Sequence, residues 1–171
     1  NGEDRETRHF NYHSHNLLMD NLHAALLNVK MKYFPVWLAR RKELAEQYHA
    51  QLAGVKQVQT PSYGDPRYSD IFTNYVIRAE RRDELKAYLD EHGVETMISW
   101  GFPMYKEAVF TDPKYTGEYG GVPRMVSAAG DTDALPETET ICKTVISLPM
   151  YPEVTDEEVA YVCETVRAFY A

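Results

Sequence analysis

The sequence has few of the features that mark secreted or membrane-spanning proteins. Only two cysteines, Cys142 and Cys163, occur among 171 residues, which is too few for a disulfide framework or a multi-thiolate zinc site. No run of 18 apolar residues is present, and residues 1–8 are polar and charged rather than a basic stretch followed by an apolar one. We therefore expect a cytoplasmic protein with no membrane partner and no export signal.

Positive charge is also scarce. The chain has 18 lysines and arginines against 26 aspartates and glutamates, a formal net charge of −8, and no concentrated basic stripe. Because binding to nucleic acid requires clustered lysines and arginines to neutralise phosphates, we expect no nucleic-acid partner. The apolar fraction of 44% is that of a globular domain, so the chain is expected to fold.

Motifs for several common chemistries are missing. The sequence contains neither G-x-G-x-x-G nor G-x-S-x-G, so dinucleotide-binding and hydrolase interpretations lose their main support. Three neighbouring histidines, His9, His13 and His15, could in principle bind zinc. However, His13 and His15 point to opposite sides of an extended chain, and no distant motif completes a ligand set, so we predict no metal site.

Apolar periodicity predicts a long helix in the first third of the chain. After Asp20, which can cap the helix, apolar residues recur at spacings of four, three and four; they are Leu22, Leu26, Val29 and Tyr33. A second stripe of Leu38, Ala45, Tyr48 and Leu52 extends to Gly54, which is expected to end the helix in a left-handed conformation. Pro35 lies between the stripes and favours a kink in one long helix over the start of a new one.

For the remainder of the chain, the sequence pattern predicts short strands and helices in alternation. In order, the patterns predict a strand at 72–79, a helix at 82–92 ended by Gly93, a strand at 94–99, a long excursion at 101–133, a helix from Pro136, an edge strand at 146–149, and a final helix opened by a capping box of Thr155 and Glu158. The predicted fold class is α+β, with a small sheet covered by helices and preceded by a long linking helix.

Aromatic side chains concentrate where the second predicted strand ends. Trp100, Phe102 and Tyr105 surround Gly101 and Pro103. Such a loop can simply pack its own side chains over the sheet, or it can form one wall of a pocket in which flat rings stack on a sugar or a base. We favour the pocket.

Four collinear segments together resemble the pyridoxal-phosphate-dependent sugar aminotransferases of the DegT and StrS type. They are NLLMDNLHAALLNVK from Asn16, ARRKELAEQY from Ala39, RRDELKAYLDEHGVET from Arg81 and SLPMYPEVTDEEV from Ser147. The arginine pair and the SLPMYP stretch are the most specific parts. The resemblance covers nearly the whole chain.

The resemblance implies that the chain corresponds only to the C-terminal part of a fold type I transferase. In the family, the Schiff-base lysine, the aspartate facing the pyridine nitrogen and the ring-stacking aromatic residue lie upstream of the region matching Asn1. None of the eight lysines here stands in the Schiff-base context. We therefore interpret residues 1–35 as a segment linking to a missing large domain and residues 36–171 as the small C-terminal domain, either a fragment or half of a split enzyme.

Site residues also follow from the resemblance. Asn16 matches the asparagine that reaches the cofactor phosphate of the neighbouring subunit, so it is the expected cofactor-binding residue. Around it, Ser14, His15 and Leu18 replace the family's glycine, aromatic residue and arginine.

The expected substrate-binding residues are His13 and His15, which could compensate for the missing arginine, together with Trp100 and Tyr105. The last two lie where the family often has histidine-aromatic and proline-leucine-histidine sequences. A different sugar, or the loss of sugar binding, would explain this difference.

The resemblance implies an enzyme that uses pyridoxal phosphate to move an amino group from an amino acid, expected to be glutamate, to a keto-sugar nucleotide for polysaccharide or antibiotic-sugar biosynthesis. A homodimer is expected, because the family's active site is shared between subunits. Two alternatives remain: a related sugar dehydratase with histidine at the lysine position, and a non-catalytic small domain that pairs with an intact aminotransferase.

Overall fold

The computed structural model describes residues 19–62, 64–65, 67–106 and 135–171. Two compact units divide between Ala39 and Arg40. The described elements, in chain order, are α1 (Asn21–Leu52), β1 (Val58–Gln59), β2 (Tyr75–Ala79), α2 (Arg82–Glu91), a 3-10 turn (Met104–Lys106), α3 (Pro136–Thr144), β3 (Val145–Leu148) and α4 (Asp156–Tyr170). The predicted α+β class is confirmed.

The first unit contains the N-terminal part of α1. Asp20 caps this helix, since its Oδ1 accepts a hydrogen bond from the backbone N–H of His23 at 2.8 Å. The helix continues through Pro35, which confirms one long helix rather than a restart. The predicted apolar stripe is present, but all four of its side chains, Leu22, Leu26, Val29 and Tyr33, are more than half exposed.

The second unit begins with the C-terminal part of α1, whose apolar face is buried. Ala45, Tyr48 and Leu52 are fully or almost fully buried, as the stripe predicted. The expected left-handed cap at Gly54 is wrong, because Gly54 is not among the described residues with positive φ. Instead, the chain turns through a hydrogen bond of 3.0 Å from the N–H of Val55 to the carbonyl of Leu52.

Among the described residues, three antiparallel strands form a sheet in the order β1, β2, β3. Ile77 of β2 lies opposite Ile146 of β3, and both are fully buried. The strand expected at 94–99 is wrong, because only Met97 pairs, in an isolated bridge with Ser147. The strand expected from residue 72 begins at Tyr75, since Phe72 has a φ of 47° that no strand accommodates.

Helix α4 closes the core. Thr155 and Glu158 form the predicted capping box: Glu158 N–H donates to Thr155 Oγ1 at 3.1 Å, and Thr155 N–H donates to Glu158 Oε2 at 2.8 Å. The stripe of Val159, Val162 and Val166 is buried. The described core consists of side chains from α1, the sheet, α2 and α4; its largest fully buried members are Tyr48, Tyr75, Leu44, Leu52, Ile77, Leu85, Leu89, Ile146, Val159, Val166 and Cys163.

Both cysteines lie in helices and are buried. Burial raises the pKa of the Cys163 thiol to about 12, because the thiolate would lose its hydration. This supports their interpretation as packing thiols. No helix in the described ranges combines the length and apolarity that crossing a bilayer requires.

Arg41 connects three segments of the second unit. Its Nη1 donates to the carbonyl oxygens of Phe72 at 2.8 Å, Thr73 at 3.0 Å and Met150 at 3.0 Å. The first two carbonyls precede β2 and the third follows β3. Because Tyr75 of β2 pairs with Leu148 of β3, one guanidinium on α1 joins the two chain segments at one end of this strand pair. Asp70 assists by accepting the Phe72 N–H at 2.8 Å, which holds the left-handed conformation of Phe72.

Arg41 is therefore expected to matter for stability. Arg41→Met keeps the apolar stem but removes the donor to three carbonyls, and we expect it to lower the free energy of unfolding by about 2 kcal/mol. Urea unfolding followed by circular dichroism measures the loss. Arg67→Met is the matched control, because Arg67 is exposed and its side-chain hydrogen bonds to described residues go to Asp65, two positions before it. Equal effects of the two substitutions would contradict this role for Arg41.

Candidate functional site

Three of the five site residues predicted from the sequence, namely His13, His15 and Asn16, lie outside the described residues. Their roles therefore stay predictions. Within the ranges that the structure describes, no group of three histidines, cysteines or carboxylates is arranged to hold a metal ion.

The other two predicted residues lie in the loop that leaves the sheet edge after Met97. Met97 is fixed to Ser147 by two backbone hydrogen bonds of 3.3 and 2.8 Å. The loop then turns tightly, since a Cβ on Gly101 would come within 2.9 Å of Ile98 Cγ2. This turn presents Trp100, 68% exposed, and Phe102, 53% exposed. Large exposed rings on a loop anchored to a sheet suit stacking against a flat or ring-shaped ligand.

Tyr105 has a different environment from Trp100. It lies in the 3-10 turn and is half-buried, and its hydroxyl donates a short hydrogen bond to Glu139 in α3. Lys106 Nζ lies 2.5 Å from the same carboxylate oxygen. The Lys106 ammonium, and next the Tyr105 hydroxyl, hold the pKa of Glu139 below its usual range. The Tyr105 hydroxyl thus ties the loop to α3.

No sequence pattern predicted the contact between Tyr105 and Glu139. Glu139 is one of two acidic residues in the first turn of α3, where carboxylates are common because they balance the helix dipole. Nothing in the local pattern distinguishes it from Glu137. Its partners lie more than thirty residues away in the chain, so only the folded structure brings them together.

The described lysines do not form a site for a Schiff base. A lysine nucleophile needs burial or a neighbouring cation that favours the neutral amine. Four of the described lysines are exposed, namely Lys30, Lys32, Lys56 and Lys143. The other three are half-buried with polar partners: Lys86 lies 2.8 Å from Asp90, Lys106 contacts Glu139, and Lys42 lies 3.2 Å from Ser69 Oγ. The described residues therefore do not fit covalent binding of pyridoxal phosphate.

The family model, several named relatives and solved structures point to one class, the sugar aminotransferases. The model of the DegT/DnrJ/EryC1/StrS aminotransferase family matches residues 1–167. A pleiotropic regulatory protein of Geobacillus stearothermophilus is 35% identical over 91% of this chain and 38% of its own length. The dTDP-3-amino-3,4,6-trideoxy-alpha-D-glucose transaminase of Streptomyces venezuelae is 29% identical over 89% of this chain and 36% of its own length.

Solved structures give the same result. The crystal structure of Streptomyces venezuelae DesV in complex with a ketimine intermediate matches 98% of this chain and 41% of its own, with 27% identity and a TM-score of 0.77. The chain belongs to the DegT/DnrJ/EryC1/StrS aminotransferase family, as its four resembling segments indicated. It spans less than two fifths of the length of the two relatives named above.

The contact of Glu139 with Lys106 and Tyr105 predicts a pH dependence of stability. The pKa of Glu139 is lower in the folded chain than in the unfolded chain. The contact therefore adds its full contribution to the free energy of unfolding above the ordinary glutamate pKa, and this contribution is lost as the pH falls through the lowered pKa of the folded chain. Glu139→Gln is therefore expected to lower the melting temperature at pH 6 and to converge with the parent chain near pH 3. Thermal unfolding at several pH values measures this.

Glu137→Gln is the matched control on the same helix turn, because Glu137 is exposed and lies 3.9 Å from its nearest cation, Arg78. It is expected to change the melting temperature less than Glu139→Gln at pH 6. If Glu139→Gln lowers the melting temperature as much at pH 3 as at pH 6, the charge of Glu139 does not contribute to stability as proposed.

Proposed function

We propose that the chain is the small C-terminal domain of a pyridoxal-phosphate-dependent aminotransferase. The enzyme moves an amino group from an amino acid, glutamate by preference, to a keto-sugar nucleotide for polysaccharide or antibiotic-sugar biosynthesis. The family match over residues 1–167 carries the proposal. Relatives named as transaminases act on dTDP-linked and UDP-linked sugars, one of them on a 3-oxo sugar, which supports this substrate class.

A large domain, missing from this sequence, supplies the Schiff-base lysine in this proposal. The survey of described lysines supports this division, since none has the burial that such a lysine needs. The exposed apolar stripe on the first part of α1 supports it as well, because contiguous exposed apolar surface usually marks an interaction site. Residues 1–35 are then the segment that links the two domains.

In the proposed enzyme, the role of this chain is to form part of the substrate pocket. Trp100 and Phe102 form the wall against which the sugar or base packs, and Asn16 donates from its side-chain amide to the cofactor phosphate. His13 and His15 contact the substrate beside Asn16. Tyr105 contributes through its ring, since its hydroxyl is bonded to Glu139. The enzyme acts as a cytoplasmic homodimer whose site takes residues from both subunits.

A second candidate is a non-catalytic small domain that pairs with an intact aminotransferase. Two relatives carry regulatory names, a pleiotropic regulatory protein and the erythromycin biosynthesis sensory transduction protein EryC1, and these favour it. A third, the sugar dehydratase, differs from the aminotransferase only in the residue at the lysine position. The gene segment upstream of Asn1 distinguishes the three candidates. A large domain with lysine at the Schiff-base position indicates the aminotransferase, a large domain with histidine there indicates the dehydratase, and the absence of a large domain indicates the non-catalytic small domain.

Pyridoxal phosphate is expected not to label this chain at a unique lysine. The chain is mixed with the cofactor, reduced with borohydride, and digested for mass spectrometry. We expect low, scattered modification of the exposed lysines, because none is desolvated. A protein joined to the large domain is the positive control and should be labelled once, outside residues 1–171. Stoichiometric labelling of one lysine within this chain would overturn the division between the two domains.

Trp100 is expected to govern substrate affinity. In the protein joined to its large domain, Trp100→Leu should raise the KM for the keto-sugar nucleotide about 10-fold, equivalent to about 1.4 kcal/mol, and leave the KM for glutamate unchanged. Steady-state kinetics with each substrate varied in turn measure the effect. Tyr68→Leu is the matched control, because Tyr68 is an equally exposed ring on a different loop. Equal changes for both variants would exclude Trp100 from the pocket wall.

A further inference from the structure

The loop of residues 98–104 is held at both ends by one continuous segment of the chain. At the start of the loop, Met97 forms two backbone hydrogen bonds with Ser147 of β3. At its end, the Tyr105 hydroxyl donates a hydrogen bond to Glu139 of α3. Because β3 follows α3 without an intervening residue, both anchors lie on a single helix–strand segment.

One carboxylate supplies both contacts of the second anchor. Glu139 Oε1 accepts the Tyr105 hydroxyl and lies 2.5 Å from Lys106 Nζ. The same ammonium lies 5.8 Å from the centre of the Tyr105 ring, so the three side chains form one cluster. The Glu139 side chain is only 17% exposed. Contacts to a partly buried carboxylate are stronger and less screened by salt than contacts to an exposed one.

The cluster joins two pieces of ordered structure. Glu139 N–H donates to the carbonyl of Leu135 at 3.1 Å in the first turn of α3, and Cys142 of the same helix is buried. On the side of the loop, Lys106 N–H donates to the carbonyl of Pro103 at 2.9 Å, and Pro103 is buried. The cluster therefore fixes where the loop ends relative to α3.

Between the two anchors, the loop presents Trp100 and Phe102, which are 68% and 53% exposed. Since more than half of each side chain is exposed, the position of the two rings depends largely on the backbone that carries them. A ligand that stacks on rings already in place loses less conformational entropy on binding than a ligand that must first order the loop.

We propose that Glu139 is a positioning residue for the substrate wall formed by Trp100 and Phe102. Its carboxylate holds the end of the loop through Tyr105 and Lys106, and thereby keeps the two rings in place for stacking on the nucleotide sugar. This inference rests on the proposed function, in which the wall packs on the sugar or the base. Glu139 acts through the loop and not by contact with the substrate.

The fluorescence of Trp100 tests the restraint on the full chain, without cofactor or substrate. The chain has two tryptophans, so Trp100 is the only one in a Trp37→Phe background. In this background we expect Glu139→Ala to increase the amplitude of nanosecond motion of Trp100 about 1.5-fold, measured by time-resolved fluorescence anisotropy. Equal amplitudes in Glu139→Ala and the parent would overturn the proposal, whether or not the enzyme is a transaminase.

Glu137→Ala is the matched control, because Glu137 lies in the same helix turn and its side chain is 85% exposed. It should leave the motion of Trp100 unchanged, and an equal increase in both variants would contradict a specific role for Glu139. Tyr105→Phe, which removes only the hydroxyl, should act in the same direction as Glu139→Ala. It replaces that variant if circular dichroism shows that Glu139→Ala is not folded.

Kinetics of the protein joined to its large domain test whether the restraint serves substrate binding. Below the melting transition of every variant, Glu139→Ala should raise the KM for the keto-sugar nucleotide about 3-fold and leave kcat and the KM for glutamate unchanged. A merely structural role would reduce the amount of active enzyme, which lowers kcat and leaves KM unchanged. That result would overturn the proposal.

A double-mutant cycle shows whether Glu139 acts through the ring of Trp100. In a Trp100→Leu background, Glu139→Ala should raise the KM for the keto-sugar nucleotide clearly less than in the parent. An equal increase in both backgrounds would overturn the positioning role. If the joined protein has no transaminase activity, the proposed function is overturned, whereas the restraint on the loop is decided independently by the anisotropy of Trp100.

Discussion

The C-terminal part of α1 holds the second unit together through long side chains that donate to backbone carbonyls. Arg41 bonds three carbonyls at one end of the pair formed by β2 and β3. Arg40 donates to the carbonyl of Val154 and to Asp156, both at 2.8 Å. Tyr48 stacks on Tyr75 with ring centroids 4.9 Å apart and donates to the carbonyl of Pro149 at 2.9 Å. Through these contacts one helix face fixes the whole connection from β3 to α4.

The sequence predicted best those features that depend on neighbouring residues. The capping box needs only Thr155 and Glu158, three positions apart, and the start of α3 needs only a proline at the first helical position. Features that depend on residues distant in the sequence were either not predicted or predicted wrongly. The β-branched residues Val94 and Thr96 favour a strand locally, yet only Met97 pairs, in an isolated bridge with Ser147. Strand β1, with two residues, is too short for a periodic signal.

Periodicity also says less about burial than about amphipathicity. Both stripes on α1 follow helical periodicity, but Ala45, Tyr48 and Leu52 are buried whereas Leu22, Leu26, Val29 and Tyr33 are exposed. A stripe shows that one side of a helix is apolar, and only the fold shows what covers it. The same limit applies to the site. Trp100 was predicted from local composition, but the bond between Tyr105 and Glu139 spans 34 positions.

The arginines indicate where phosphate recognition has to come from. A nucleotide sugar carries phosphates that bind best to arginine side chains or to backbone N–H groups. Every described arginine already has a partner within the chain: Arg40, Arg41, Arg82 and Arg167 donate to backbone carbonyls, and Arg67, Arg78 and Arg81 lie beside carboxylates. Each of the first four already uses at least one of its N–H groups to bond a backbone carbonyl of this chain.

The described part of the chain therefore suits recognition of the sugar or the base by exposed rings better than recognition of the phosphates. In the proposed enzyme, the phosphates are bound by residues outside the described ranges or by the large domain. In the proposed enzyme, the sugar preference can change through the loop at Trp100, because more than half of that side chain is exposed.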